Sequence, residues 1–444
     1  MTSGATASKP IRARAWAVSF LSVLGIYLAA LSNHKLAYGV FAFVVCSFLF
    51  MTCSEMYTVA FFLLPYSMIF KGAPANTSLF SYLVIVVAGI AMIKTRKMRT
   101  NVCLLLLVLA AYMLVGMGNG LATYLKLVLN VFLFYGFIAN VRPKVFPKII
   151  CALSLGTILS GFIGLQKQTN ASLASFFSVV KTEYIGGVET VRFSGLYLDP
   201  NYFSIIVIAC LFGLAVYMFK KEIGIVFGLI LASALCVFGC LTISKIFYIT
   251  LAIGVAFLVG IYAKISKKIV KAVFVAIIVG GIAFYFASSS GIIDQIAFRF
   301  NADDISNNRL NIWSDYLAYI WEHVNVLILG AGINAEMIGG SGAHNFYIEL
   351  AYYLGFLGAV LYIALYSTMV FTKPMVSKRT FGNYALLIVI LVMYATLGTF
   401  FMNDFVFVLL IVWMMLNTEM KSDRNNLKVA EENDGKNVAA YASN

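Results

Sequence analysis

Apolar runs of membrane-spanning length, unbroken by any charged residue, succeed one another along this chain; Ala15–Leu31, Ile246–Ala263 and Ala272–Ser289 are three of them. Inside hydrocarbon every backbone N–H and C=O must be bonded internally, which leaves only helices and closed barrels. Barrel strands alternate apolar and polar positions. These runs are continuous, so helices are expected. Composition agrees, with 62% of residues hydrophobic and 11% charged, against about 25% charged in an ordinary soluble chain. Too few charges remain to coat a water-exposed surface. The sequence predicts an all-α polytopic membrane protein.

Fourteen spans are expected, at 15–31, 36–52, 57–70, 79–94, 101–118, 123–140, 149–165, 201–219, 223–242, 246–263, 272–289, 344–371, 381–400 and 404–418. The net charge of +14 invites a nucleic-acid partner, but the placement of the charges excludes one. Of 32 lysines and arginines, 23 fall in seven patches: Lys9 to Arg14, Lys94 to Arg99, Arg142 to Lys148, Lys220 and Lys221, Lys264 to Lys271, Lys373 to Arg379, and Lys421 onward. Basic residues flanking spans mark cytoplasmic loops, where anionic headgroups attract them. With the N-terminus inside, fourteen crossings put all seven patches in the cytoplasm, and the C-terminus with them.

The expected organisation is a cytoplasmic N-terminus at 1–14, a transmembrane domain at 15–418 and a disordered cytoplasmic tail at 419–444. The first apolar run follows Arg12 and Arg14 like a signal peptide, but thirteen further spans make it an uncleaved anchor. Two long outer loops, 166–200 and 290–343, far exceed the usual connection of about 4–6 residues. Long loops on a rigid scaffold are where function concentrates. Within the second, Leu310, Trp313, Leu317, Ile320 and Trp321 recur at helical spacing, with Ser306 or Asn307 as N-cap. An amphipathic helix over 308–323 is expected, lying along the outer face with Trp313 and Trp321 at headgroup level. The seven cysteines show no CxxC pattern and no pairing with histidine, which excludes a zinc site and leaves them as small apolar fillers.

Nine cations stand outside the cytoplasmic patches, among them Arg192, Lys245 and Arg309. Lys245 lies in a tiny outer turn, LTISK, where a charge at a span end marks a substrate path or snorkels to the interface. Arg192 precedes the eighth span in RFSGLYLDPNYFS; its fork can grip a phosphate bidentately. In the same stretch Asp199 before Pro200 also reads as a helix N-cap. Arg309 heads the amphipathic helix, within reach of Asp303 or Asp304 for a surface ion pair. His344 opens the twelfth span, where an imidazole can take a proton from a hydroxyl or cap the helix. LGAGINA lacks the βαβ unit of a dinucleotide loop, and Asp303–Asp304 lacks the further carboxylates of a metal site.

In this order and topology, RFSGLYLDPNYFS, the LTISK turn, NNRLNIW, GAGIN and HNFYIEL…GFLG resemble the O-antigen polymerase and ligase superfamily, the Wzy/WaaL type. The resemblance covers Arg192 to the end of the twelfth span. It implies a GT-C-like membrane glycosyltransferase in the bacterial cytoplasmic membrane, inverting and metal-independent, with no cofactor. The implied donor is a glycan on undecaprenyl diphosphate, the acceptor a second glycan, and the implied partners a flippase and a chain-length regulator. By motif, Arg192 and Arg309 match the arginines that bind the lipid diphosphate, and His344 matches the catalytic histidine of the HN motif. Lys245 stands where many members carry arginine, which keeps the charge and loses the fork. Asp199, Asn201, Asn345 and Trp313 complete the expected substrate contacts.

Polymerase and ligase differ only in acceptor, and both stay open; the breadth of the family favours the polymerase. A flippase or transporter would share the span count, but it should carry ionisable residues at mid-bilayer in broken helices. Here the unusual charges gather in outer loops and at span ends.

Overall fold

The structure, a computed structural model, describes residues 13–67, 78–95, 100–116, 121–177, 182–185, 188–197, 199–262, 308–332, 335–371, 381–398 and 403–418. Its helices are α1 (Ala13–Leu31), α2 (Leu36–Phe48), α3 (Cys53–Leu63), α4 (Leu79–Thr95), α5 (Thr100–Gly116), α6 (Leu121–Asn140), α7 (Phe146–Lys167) and α8 (Ala171–Phe177). These are followed by α9 (Pro200–Phe219), α10 (Ile225–Leu241), α11 (Lys245–Tyr262), α12 (Arg309–Glu322), α13 (Val324–Leu329), α14 (Phe346–Val370), α15 (Phe381–Tyr394) and α16 (Asn403–Leu416). The span expected at 272–289, the Asp303–Asp304 pair and the tail from 419 lie outside the described residues. Four helical stretches, Ala13–Leu31, Pro143–Lys167, Pro200–Phe219 and Phe346–Val370, are long and apolar enough to cross a membrane. Eight further apolar helices have 10–17 residues.

The described residues are almost wholly helical, as expected, with one short exception. Between α7 and α9 lie α8 and an antiparallel hairpin, β1 (Thr182–Ile185) with β2 (Val188–Val191), Thr182 facing Val191 and Ile185 facing Val188. Its strands are built from Thr, Tyr, Ile and Val, which fit a pleated surface, and the intervening Gly186–Gly187 is a two-residue hairpin signal in the sequence.

Helices α3 and α16 form much of the interior: Met56–Leu63 and Phe405–Leu416 are buried throughout. A helix that is apolar on every side belongs in a core. Around them an aromatic cluster closes, with Phe61 edge-on to Phe407 at 4.9 Å and Trp413 edge-on to Phe137 and Phe146 at 6.0 and 5.8 Å. Helix α3 begins at Cys53, earlier than the expected 57, because Thr52 and Glu55 form a capping box. The Glu55 carboxylate also takes a bidentate bond from Arg14, Nε to Oε1 at 3.1 Å and Nη2 to Oε2 at 2.6 Å.

Helix α14 is broken at Gly355, whose φ of 62° and ψ of −176° leave the helical region. Gly330 to Gly332, after α13, fill the break. Ala331 N–H donates to the Tyr352 carbonyl at 2.8 Å and Gly332 N–H to the Tyr353 carbonyl at 3.2 Å. Tyr112 donates its hydroxyl to the carbonyls of Leu329 and Leu354, both at 2.7 Å. Gly330 and Gly355 lie backbone to backbone, and a Cβ on either would overlap the other chain segment. Close approach is therefore what the glycines of GAGIN and GFLG supply here.

Candidate functional site

At one end of the bundle, segments distant in sequence converge. The first is the N-terminus of α9. Asp199 caps it, accepting from Asn201 N–H at 2.8 Å, and Pro200 takes the first helical position. Asn201 turns inward, where its Oδ1 accepts the Ser244 hydroxyl at 2.7 Å. That bond fastens the α10–α11 turn, whose Thr242 also accepts from the Ser204 hydroxyl at 3.1 Å. Arg192, only 4% exposed, donates from Nε to the Thr242 carbonyl at 3.4 Å. Lys245 follows directly on Ser244 and opens α11 half-buried. Arg192, Asp199, Asn201 and Lys245 thus meet on one network.

The second group surrounds α12 and the start of α14. Arg309 Nη1 donates to the Thr396 carbonyl at 3.0 Å, in the turn that follows α15. Two residues on, the Gly398 carbonyl accepts the Tyr202 hydroxyl at 2.6 Å. Tyr202 neighbours Asn201, so this turn joins the two groups. Trp313 Nε1 donates to the Ala343 carbonyl at 2.9 Å and ties α12 to the segment carrying His344. Asn345 caps α14, accepting from the N–H groups of Tyr347 at 3.0 Å and Ile348 at 3.2 Å. His344 itself is exposed.

The expected face of the amphipathic helix is corrected. Tyr316 and Ile320 are buried, with Ile312 and Trp313 partly so, while Leu310 (62%), Leu317 (43%) and Trp321 (69%) remain exposed. The apolar stripe therefore splits: one side packs on α14, the other offers an apolar surface. Tyr316 decides the packed side, because its hydroxyl donates to the Ser341 carbonyl at 2.9 Å and its ring meets Tyr352 edge-on at 5.0 Å. Burial raises the Tyr316 phenol above its ordinary pKa. The helix starts at Arg309 after Asn308, which makes no side-chain cap; the N-cap expected at Ser306 or Asn307 lies outside the described residues. Asn308 instead adopts a left-handed turn that sets the direction in which Arg309 leaves the loop.

Four non-glycine residues have positive φ among the described residues: Lys221, Ile243, Asn308 and His344. Three of these flank or are site residues: Ile243 (48°) lies two before Lys245, Asn308 (62°) precedes Arg309, and His344 has 47°. A β-branched residue such as Ile243 is rare there. Strain of about 1–3 kcal/mol per residue persists only where the surroundings over-determine it, typically at functional sites.

Sequence reasoning passed over Glu349. An acid in a helix's first turn reads as a complement to the helix dipole. Its carboxylate accepts from the His344 backbone N–H, and a Cβ added at Gly398 would overlap it. Nothing in the local sequence pairs residue 349 with residue 398.

Residues 228–363 match the family model Wzy_C, described as O-antigen ligase. The match supports the resemblance to the O-antigen polymerase and ligase superfamily. No curated protein matches the chain. The matched region runs from α10 to the middle of α14 and includes Lys245, Arg309, Trp313, His344, Asn345 and Glu349. Arg192, Asp199 and Asn201 precede it; Arg192 joins it through Thr242 and Asn201 through Ser244. The apolar helices and this match together point to a multi-pass membrane protein; the superfamily is one of glycosyltransferase-like enzymes that act on lipid-linked glycans.

Proposed function

We propose that the chain polymerises lipid-linked oligosaccharide repeat units at the outer face of the bacterial cytoplasmic membrane, with undecaprenyl diphosphate as the leaving group. It crosses the membrane fourteen times with both termini inside, and the site lies at the outer end of the bundle. The observation that carries this reading is the meeting at one end of Arg192, Lys245 and Arg309 with the N-termini of α9, α11 and α14.

Transfer from a lipid diphosphate expels an anion. Charge develops on the bridging oxygen as its bond to the anomeric carbon breaks. Fixed cations and helix N-termini stabilise that charge without reorganising. Arg192 and Arg309 are each oriented by a backbone carbonyl, which bears no net charge and leaves the guanidinium cationic. Both carry the planar fork that suits phosphate oxygens. Lys245 adds a point charge beside them. The acceptor hydroxyl attacks from the side opposite the diphosphate, inverting the anomeric centre, with His344 at the corner where the acceptor enters. No step calls for a metal ion.

The broken helix α14 bears on the transporter alternative, since discontinuous helices line transport sites. Here the freed carbonyls of Tyr352, Tyr353 and Leu354 accept from Ala331, Gly332 and Tyr112. The break is filled by protein, so it supports a rigid scaffold for surface chemistry.

Polymerisation by purified protein, with an undecaprenyl-diphosphate repeat unit and EDTA present, tests the proposal on a gel. A ladder of products is expected. Product formed only when a separate acceptor is supplied would replace the polymerase with a ligase. No product with any acceptor, once the cognate glycan is known, would overturn glycosyl transfer.

A further inference from the structure

The carboxylate of Glu349 is placed by one local and one tertiary contact. It sits in the first turn of α14, partly buried, and accepts from the backbone N–H of His344. Gly398 lies against it with no side chain between, and Gly342 lies close to it as well. The 395–398 turn that it touches is held by two further bonds, from Arg309 to the Thr396 carbonyl and from Tyr202 to the Gly398 carbonyl. A single short turn therefore joins the carboxylate to one of the diphosphate-binding arginines proposed above. His344 is bent into a left-handed corner, φ 47°, as it directs its N–H at Glu349.

An ionisable side chain within a membrane helix is costly and marks function by default. Among the described residues, Glu349 neither caps its helix nor pairs with Arg309. The helix end is already capped by Asn345, and Arg309 is already oriented by a carbonyl. Substitution at Gly398 would close the space that the carboxylate occupies.

We infer that Glu349, rather than the His344 imidazole, accepts the proton of the attacking acceptor hydroxyl. The inference rests on the glycosyl-transfer reading and assigns a residue within it. In the step, the acceptor oxygen bonds to the anomeric carbon, and the bond from that carbon to the diphosphate oxygen breaks. The electron pair leaves on the diphosphate, and the hydroxyl proton passes to a Glu349 carboxylate oxygen. His344 then acts by geometry, its strained corner aiming the N–H that holds the carboxylate.

The test uses the full chain in lipid vesicles and lipid-linked glycan purified from a strain deleted for this protein. Wild type and Glu349→Gln are compared in transfer to a sugar hydroxyl and in transfer to azide, an anion that needs no deprotonation. The amide oxygen of the substituted side chain can still accept from His344 N–H, so the fold should stand, as checked by melting temperature. Transfer to hydroxyl should fall about 10²- to 10⁴-fold, the usual contribution of a general base. Formation of glycosyl azide should stay within about threefold of wild type, because azide attacks already charged. Glu349→Asp, which keeps a proton acceptor one methylene further back, should recover part of the hydroxyl transfer and serves if the Gln variant fails to insert. Hydroxyl transfer by Glu349→Gln at more than about a third of the wild-type rate would overturn the inference. So would equal loss of both reactions in a folded variant, which would make the carboxylate structural. A wild-type protein that forms neither glycan nor glycosyl azide would instead remove the glycosyl-transfer reading, and the inference with it.

Discussion

Arg14 and Arg309 each stand in the first turn of a helix, where a cation opposes the helix dipole, and the two ends of the bundle answer this differently. Arg14 forks onto the Glu55 carboxylate, at 3.1 and 2.6 Å, and Glu55 is only 2% exposed. Glu55 also closes the capping box of α3 through Thr52. Nearby, Lys94 Nζ reaches the Met51 carbonyl at 3.4 Å. At the other end Arg309 and Arg192 donate to the neutral carbonyls of Thr396 and Thr242. A bidentate carboxylate occupies the same fork that a phosphate would use. A carbonyl orients the guanidinium without cancelling its charge. The first arrangement fixes one helix against another; the second ties a guanidinium of the proposed site to the backbone of a neighbouring turn.

That contrast is most exposed to Arg309→Ala. Glycan transfer should fall about 10²- to 10³-fold, the usual cost of removing one preorganised electrostatic donor, while the melting temperature stays close to wild type. Arg14→Ala should do the reverse, lowering the melting temperature and leaving transfer per folded molecule unchanged. Equal effects on transfer from both substitutions would erase the distinction between the ends. Arg309→Lys sharpens the point: it keeps the charge and loses the fork, so its rate should lie between wild type and Arg309→Ala in the same assay.

Smaller effects are expected at the closed end. Thr52→Ala removes the cap of α3 and should destabilise the protein by about 0.5–2 kcal/mol, measured by thermal denaturation in detergent, with no change in transfer. The smallest effect is expected for Lys245→Arg. The cation is kept and a fork added, so donor binding should tighten modestly at unchanged stability. Loss of transfer in that variant would show that the LTISK turn needs lysine's point charge.

Several features of the site were legible residue by residue. Asp199-Pro200 reads as an N-cap and first-turn pair, and both residues hold those positions. The helix over 308–323 exists at 309–322. Its stripe divides, because Leu310, Leu317 and Trp321 share the helical period with Ile320, and periodicity does not say which of them meets protein. The Thr52–Glu55 box and the Gly186–Gly187 pair are both local signals in the sequence, the first at a helix start and the second inside the long 166–200 loop. Gly330 belongs to a segment that lacks the setting of a nucleotide loop, and Gly355 lies inside the expected twelfth span; only their contact explains them.

The sequence by itself determined the solvent, since uncharged runs of span length can be satisfied only as helices in lipid, and it determined which cations depart from the cytoplasmic pattern. Both properties belong to a residue and its chain neighbours. Tertiary structure alone decided that Arg192 meets Thr242, that Arg309 meets Thr396 and that Glu349 rests on Gly398. Those partners are separated by tens of residues, and hydrogen bonds are short and directional. Their formation depends on how helices pack against one another, which no local pattern of residues encodes.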